Sequence, residues 1–135
     1  MNTILLVEDD ENLNRGISLK LKKEGYQVFS AFTWKEALHY WRSEDIQMVV
    51  TDISLPDGDG LSFGRRVREE SNAFLIYLTA MDQEIDMING YDTGADDYIT
   101  KPFSVTVLTS KINALMRRLN DKEKELIVSE QFEVS

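Results

Sequence analysis

The sequence contains no cysteine and a single histidine, His39, among its 135 residues. Without cysteine it cannot form disulfide bonds, a thiol nucleophile or a thiolate-bound metal site, and one histidine cannot form a multi-histidine site. No apolar run approaches the roughly 20 residues that a membrane-spanning helix needs. A short apolar run precedes Glu8 and no basic residue stands before it, so we expect no signal peptide, no membrane association and a cytoplasmic location.

Basic residues are also scarce, because 15 Lys and Arg stand against 24 Asp and Glu, a formal net charge of −9. Such an acidic chain is a poor nucleic-acid binder by itself, since phosphate binding requires a basic face. The apolar share of 42% includes six Phe, five Tyr and two Trp, which argues against wholesale disorder. The length fits one ordinary domain with a sizeable core.

Short apolar runs alternate along the chain with polar stretches of helical spacing. The runs lie at residues 4–7, 28–29, 48–50, 74–78 and 98–99. Between them, Asp10, Thr33 and Ser104 are predicted to cap helices, and Gly25 to end the first one. Continuous apolar strands that alternate with amphipathic helices are typical of a parallel sheet covered on both faces. We therefore predict an α/β domain with a five-stranded, doubly wound parallel sheet and five helices.

Two segments fit this pattern less well. Residues 82–93 contain Ile85 and Ile88 at helical spacing but also the turn signal Asn89-Gly90, so a fourth helix competes there with a turn. Residues 120–135 begin with a charged run that could extend the last helix. The rest of that segment is predicted to be a linker or the start of something that this chain lacks.

Polar residues stand at the point where each predicted strand ends. They are Glu8 and Asp9 after the first strand, Asp52 at the third, Thr79 after the fourth and Lys101 beyond the fifth. Because the carboxyl ends of parallel strands meet at one edge, we expect these side chains to share one pocket. Clustered carboxylates repel unless a cation lies among them, and an open oxygen-only site favours Mg²⁺. A lysine and a threonine beside that ion would suit an incoming phosphoryl group.

Motifs at family spacing give the sequence a resemblance to a known family. They lie in the stretches Val7–Asp10, Asp52–Gly60, Thr79-Ala80 and Gly94–Phe103. In order and spacing they resemble the receiver domain of bacterial response regulators, over roughly residues 3 to 119. The Gly-Ala-Asp-Asp-Tyr stretch further resembles the OmpR/PhoB-like subfamily, whose members join a receiver to a DNA-binding winged helix.

The resemblance implies a flavodoxin-like (βα)5 fold with strand order 2-1-3-4-5. It also implies that Asp52 accepts a phosphoryl group from a sensor histidine kinase or a small acyl phosphate, assisted by Thr79 and Lys101. Thr79 and Tyr98 would switch position on activation, and the Lys101-Pro102 peptide bond would be cis. The protein would be a signalling receiver that catalyses its own phosphorylation and dephosphorylation, rather than an enzyme with a separate substrate.

The same resemblance implies a magnesium site. Asp9 and Asp52 would bind Mg²⁺ through their carboxylates, Ser54 through its backbone carbonyl, and Glu8 through water. Asp10 lies one position past the usual acidic pair and is predicted to be a helix cap rather than a ligand.

The subfamily also implies a symmetric dimer on phosphorylation, formed by the fourth helix, fifth strand and fifth helix. Its residues would be Met87, Ile88, Tyr91, Asp96, Asp97, Val107, Ser110, Lys111 and Arg118. Asp97 would meet Lys111 across the interface, and Asp96 would meet Arg118. Residues 1–119 would form the receiver, and residues 120–135 a linker or the start of a missing effector domain. DNA would be bound only through that effector domain.

Three other interpretations of these residues compete with the receiver. Taken singly, the acidic residues 8–10 are as well explained as helix caps, Asp52 as a turn residue and Lys101 as a solvated loop residue. Their joint order and spacing favour the receiver. A phosphohydrolase of the haloacid-dehalogenase type would need an acid two positions after Asp52, where Ser54 stands. A receiver-like module that has lost phosphorylation would not be expected to keep the full acidic set. Trp34 and Trp41 are predicted to lie on the second helix, away from Asp52.

Overall fold

Five parallel strands form the central sheet of the structure, a computed structural model that describes residues 2–80 and 94–134. The strands are β1 (Thr3–Val7), β2 (Gln27–Ala31), β3 (Met48–Asp52), β6 (Phe74–Thr79) and β7 (Asp97–Thr100). They lie in the order β2-β1-β3-β6-β7. Counting only the strands of this sheet, this is the predicted order 2-1-3-4-5, and the predicted fold class is confirmed.

Helices connect the strands, and three of the four described helices begin directly after a predicted capping residue. They are α1 (Glu11–Lys23), α2 (Trp34–Ser43), α3 (Gly60–Glu70) and a C-terminal helix, Val105–Val134. Asp10 caps α1 by accepting from Leu13 N at 3.1 Å, and Gly25 follows the helix with a φ of +96°. The helix predicted within residues 82–93 lies outside the described residues.

Each face of the sheet is covered by a different pair of helices. On one face, Leu5 and Val49 pack with Phe63 of α3 and Ala37 of α2. Neighbouring residues of the same strands point to the other face, where they pack with Ile17 of α1 and with the C-terminal helix. Strands buried on both faces explain why the apolar runs were continuous instead of alternating with polar residues.

A small hairpin between β3 and α3 was not predicted. Its strands are β4 (Ser54–Leu55) and β5 (Gly58–Asp59), which pair antiparallel. Two-residue strands are too short to show any hydrophobic periodicity, so their sequence gave no signal. Asp59 then caps α3 by accepting from Leu61 N at 2.9 Å.

The C-terminal helix continues to Val134 and therefore includes most of the segment predicted to be a linker. Its described apolar contacts come from residues 105–119, which pack against α1 and the sheet. From residue 122 onward only the course of the helix is described. The division at residue 119 stays a prediction. No helix in residues 2–80 or 94–134 is both long and apolar enough to cross a membrane.

Candidate functional site

Three carboxylates meet at the carboxyl edge of the sheet. Glu8 and Asp9 follow β1, and Asp52 is the last residue of the neighbouring strand β3. One oxygen from each of the three lies within 4.8 Å of the others. Asp9 is exposed, Asp52 is only 7% exposed and Glu8 is completely buried. The parallel register thus brings together residues more than 40 positions apart in sequence, as predicted.

Lys101 joins this cluster from the segment after β7. Its Nζ lies 2.5 Å from Glu8 Oε1 and 2.7 Å from Asp52 Oδ2, so one ammonium group lies between two carboxylates. Its backbone N–H donates to Thr79 O at 2.6 Å, which ties the segment to the end of β6. The Lys101-Pro102 peptide bond is cis, which confirms that prediction.

The charges in the site are not balanced. Burial raises the pKa of Glu8 to about 7, and the charge of Asp52 adds to this effect, while the hydrogen bond from Lys101 opposes it. Burial lowers the pKa of Lys101, but its hydrogen bonds to Asp52 and Glu8 outweigh this, so the pKa is raised overall. One cation among three acids leaves net negative charge in an all-oxygen site, and that donor chemistry fits a hard divalent cation.

A buried asparagine supports the first acidic loop, and the sequence analysis missed it. Asn14 Nδ2 donates to the backbone oxygens of Glu8 at 3.0 Å and Ala31 at 3.3 Å. Glu8 N donates to the same Ala31 oxygen at 3.0 Å. The amide of Asn14 therefore fixes the ends of β1 and β2 to each other. Its signal was a polar residue on the apolar stripe that contains Ile17 and Leu21 of α1.

The Asp52 end of the pocket is closely packed by backbone. Gly60 N donates to Ile53 O at 2.7 Å, and a Cβ on Gly60 would lie 2.8 Å from the Asp52 carbonyl carbon. Ser54 N donates to Asp52 Oδ1 at 3.1 Å. Only glycine fits at position 60, and the chain leaves β3 in a turn that holds the Asp52 carboxylate.

The two residues expected to switch lie on adjacent strands. Thr79 is completely buried at the end of β6, and Tyr98 is half-buried in β7. Tyr98 is the register partner of Tyr77, and Thr79 is the register partner of Thr100. Tyr98 packs against the core on the α2–α3 face of the sheet.

Three of the four charged residues of the predicted dimer surface, Asp96, Asp97 and Lys111, form ion pairs within the chain. Lys111 Nζ lies 2.9 Å from Asp97 Oδ2. Asp96 Oδ2 lies 3.2 Å from Arg68 Nη2 and accepts from Leu75 N at 2.8 Å. Val107, Ser110 and Arg118 are exposed on the C-terminal helix, whereas Met87, Ile88 and Tyr91 lie outside the described residues.

Trp34 makes a contact that the sequence did not predict. It is on α2 as predicted, but it contacts the hairpin that follows Asp52, because a Cβ on Gly58 would be 3.0 Å from Trp34 Cγ. The sequence could not show this contact, since the hairpin itself was not predicted. Trp41 also lies on α2, as predicted, and packs edge-on against Phe63 of α3.

Known proteins are similar to this chain in sequence and in fold. Residues 4–113 match the family model of the response regulator receiver domain. The transcriptional regulatory protein BasR of Escherichia coli (strain K12) is 43% identical over 127 residues, which are 93% of this chain and 57% of BasR. The response regulator ArlR of Staphylococcus haemolyticus (strain JCSC1435) is 37% identical over 123 residues, which are 91% of this chain and 56% of ArlR.

A solved structure supports the same relationship. DrrB, described as an OmpR/PhoB homolog from Thermotoga maritima, has a TM-score of 0.79 and 32% identity over 87% of this chain and 54% of that chain. The fold and the site thus define a receiver of the two-component type. The chain belongs to the response regulator receiver domain family, and it spans little more than half the length of BasR and ArlR.

Proposed function

We propose that this chain is a phosphorylation-activated receiver whose phosphoacceptor is Asp52. The observation that carries the proposal is the placement of the Asp52 carboxylate at the edge of the sheet, between Lys101 Nζ at 2.7 Å and the acidic pair Glu8 and Asp9. The donor would be the phosphohistidine of a sensor kinase or a small acyl phosphate. This is a reaction in which positioning and electrostatics supply most of the catalysis.

The transfer forms an acyl phosphate on Asp52. A carboxylate oxygen of Asp52 attacks phosphorus, the bond from phosphorus to the phosphohistidine nitrogen breaks, and its electron pair leaves with the imidazole. Lys101, already held against Asp52 and Glu8, then pairs with the phosphoryl oxygens. Return to the resting state requires attack by water on phosphorus, which releases inorganic phosphate and restores the carboxylate.

The residues of the site suit Mg²⁺ as the cofactor of this reaction. Asp9 and Asp52 would hold the ion through carboxylate oxygens, Ser54 through its backbone carbonyl and Glu8 through a water molecule. The three-acid cluster and the raised pKa of Glu8 support this assignment, because a cation there would relieve the repulsion between the acids. When bound, the ion offsets negative charge on the transferring phosphoryl group.

Signalling would follow from the new phosphoryl oxygens. Thr79 would donate to one of them, and Tyr98 would move into the space that Thr79 leaves, which would bias the surface formed by β7 and the C-terminal helix. The likeness to BasR, a transcriptional regulatory protein, supports a partner domain that binds DNA. Symmetric pairing of two phosphorylated receivers would bring two such domains together.

Mass spectrometry tests the phosphoacceptor directly. With Mg²⁺ and a small acyl-phosphate donor, the intact mass of the wild type should rise by one phosphate, and Asp52→Asn should abolish this adduct. Asp45→Asn is the matched control, because Asp45 is an exposed aspartate in the loop between α2 and β3. An adduct that persists in Asp52→Asn, or that forms in the wild type after full chelation of Mg²⁺, would contradict the proposal.

A further inference from the structure

The tip of the hairpin after Asp52 is attached to a different helix. Asp57, at the turn between β4 and β5, accepts from Trp34 N at 2.7 Å through Oδ1 and from Lys35 N at 3.1 Å through Oδ2. Both donors belong to the first turn of α2, more than 20 positions earlier in the chain. Both carboxylate oxygens of Asp57 therefore bond the tip of the hairpin to the first turn of α2.

This contact completes the capping of α2. The N–H groups in the first turn of a helix have no partner within the helix. Here the side chain of Thr33, the local cap, accepts from Glu36 N at 3.1 Å. Asp57 supplies acceptors for the N–H groups of Trp34 and Lys35, which the Thr33 side chain does not bind. Its negative charge also lies at the positive end of the helix dipole. The hydrogen bond from Trp34 N, with a smaller contribution from Lys35 N, holds the pKa of Asp57 below its usual range.

The packing of Gly58, next to Asp57, also holds the hairpin close to α2. A Cβ on Gly58 would lie 3.0 Å from Trp34 Cγ and 3.1 Å from Trp34 Cβ, so the glycine lets the hairpin lie against the tryptophan. Pro56 restricts the backbone just before Asp57. The base of the hairpin is held separately, by Ser54 N donating to Asp52 Oδ1 at 3.1 Å and Gly60 N donating to Ile53 O at 2.7 Å.

We propose that Asp57 is a positioning residue for the phosphorylation site, which anchors the hairpin tip to α2. It thereby positions Ser54, whose N–H donates to Asp52 Oδ1 at 3.1 Å and whose backbone carbonyl is the proposed Mg²⁺ ligand. Ser54 lies between the two attachments, three residues before Asp57 and two after Asp52. Without the tip contact, the hairpin would lose both of its hydrogen bonds to the first turn of α2. The part of the inference that concerns Mg²⁺ rests on the function proposed above, whereas the attachment itself does not.

Two alanine variants separate positioning from simple loss of a helix cap. Asp57→Ala removes the hairpin attachment, and Thr33→Ala removes the local cap of the same helix without touching the hairpin. We expect both to lower the melting temperature of the Mg²⁺-free protein. Only Asp57→Ala should also weaken Mg²⁺ binding, by roughly tenfold, as is typical when a residue that orients a metal ligand is lost. Asp57→Asn keeps one acceptor oxygen and should give an intermediate dissociation constant.

The measurements are a titration with Mg²⁺ alone, followed by NMR, and amide hydrogen exchange in the Mg²⁺-free protein. Exchange at Trp34 N and Lys35 N should accelerate in Asp57→Ala, and exchange at Glu36 N in Thr33→Ala. Equal Mg²⁺ affinity in wild type and Asp57→Ala, or an equal loss in Thr33→Ala, would overturn the positioning role. Unchanged exchange at Trp34 and Lys35 would overturn the attachment. If Asp52→Asn binds Mg²⁺ like the wild type, the proposed function fails instead, and the exchange result still decides the attachment.

Discussion

Glu8 is a completely buried carboxylate, and its ionisation couples the site to the stability of the fold. Its pKa of about 7 in the folded protein lies above the ordinary value of 4.5. Between these values the folded state binds more protons than the unfolded state, so this group lowers the free energy of unfolding as the pH rises from about 4.5 to about 7. Above a pH of about 7 the folded protein bears the full free-energy cost of burying the charged carboxylate, and below about 4.5 this cost is absent.

The pH dependence of unfolding should therefore depend on Glu8. In Mg²⁺-free buffer we expect the stability of the wild type to fall, relative to Glu8→Gln, as the pH rises through that window. Saturating Mg²⁺ should reduce the difference, since a cation stabilises the charged carboxylate. Urea unfolding at several pH values measures both. Parallel stability profiles for wild type and Glu8→Gln would show that Glu8 titrates as an ordinary exposed acid.

The residues of the site differ in how well the sequence predicted them. Asp52 and Lys101 were predicted to meet because strand ends of a parallel sheet share one edge, and that argument needs only the positions of the apolar runs. Asn14 and Asp57 were missed. Each acts through hydrogen bonds to the backbone of another element, and no local pattern in the sequence specifies such a partner. In the sequence, Asp57 was only one residue of the motif stretch Asp52–Gly60.

At the scale of elements, the sequence predicted the strands and the helix caps better than it predicted the segments that connect them. The buried strands were visible as apolar runs, and Asp10 and Thr33 were recognisable caps. The hairpin β4–β5 was not predicted, because strands of two residues are too short to show hydrophobic periodicity. The end of the last helix was also not predicted, since a charged run fits both a helix and a linker.

Two helical glycines should respond in opposite ways to alanine. A Cβ on Gly64 in α3 would overlap the hydroxyl of Tyr77 and lie 2.7 Å from its Cζ, whereas a Cβ on Gly16 in α1 meets nothing within 4 Å. Because Tyr77 is completely buried beneath α3, Gly64→Ala should destabilise the fold by about 1–3 kcal/mol through overpacking. Gly16→Ala should stabilise it by roughly 0.5–1 kcal/mol through helix propensity.

Chemical denaturation of both glycine variants checks this assignment. Gly16→Ala is the internal control, because it makes the same chemical change in a helix without adding a buried contact. A stabilising Gly64→Ala would mean that α3 does not pack on Tyr77 as closely as described.

At the scale of the whole molecule, the proposed dimer requires Lys111 and Asp97 to give up their ion pair within one chain and to form the same pair between two chains. Lys111 and Asp97 pair within one chain at 2.9 Å, and each side chain is about one-third exposed. Such surface pairs contribute only about 0–1 kcal/mol, so pairing within the chain does not prevent the same residues from pairing across an interface. Asp96 is different, because its carboxylate also accepts from Leu75 N at the start of the β6–β7 ladder. A pair between Asp96 and Arg118 across the interface would therefore compete with that hydrogen bond.

Charge reversal distinguishes pairing within a chain from pairing between chains. In a two-fold contact each pair occurs twice, so Asp97→Lys alone or Lys111→Glu alone places like charges opposite each other and should weaken the phosphorylated dimer. In a mixture of the two variants, both pairs across a mixed dimer are again opposite in charge, while the pairs within each chain stay repulsive. We expect sedimentation of the phosphorylated proteins to show monomers for each variant alone and dimers for the mixture. Monomers in the mixture, beside a dimeric wild type, would show that Asp97 and Lys111 act within one chain and that the dimer forms elsewhere.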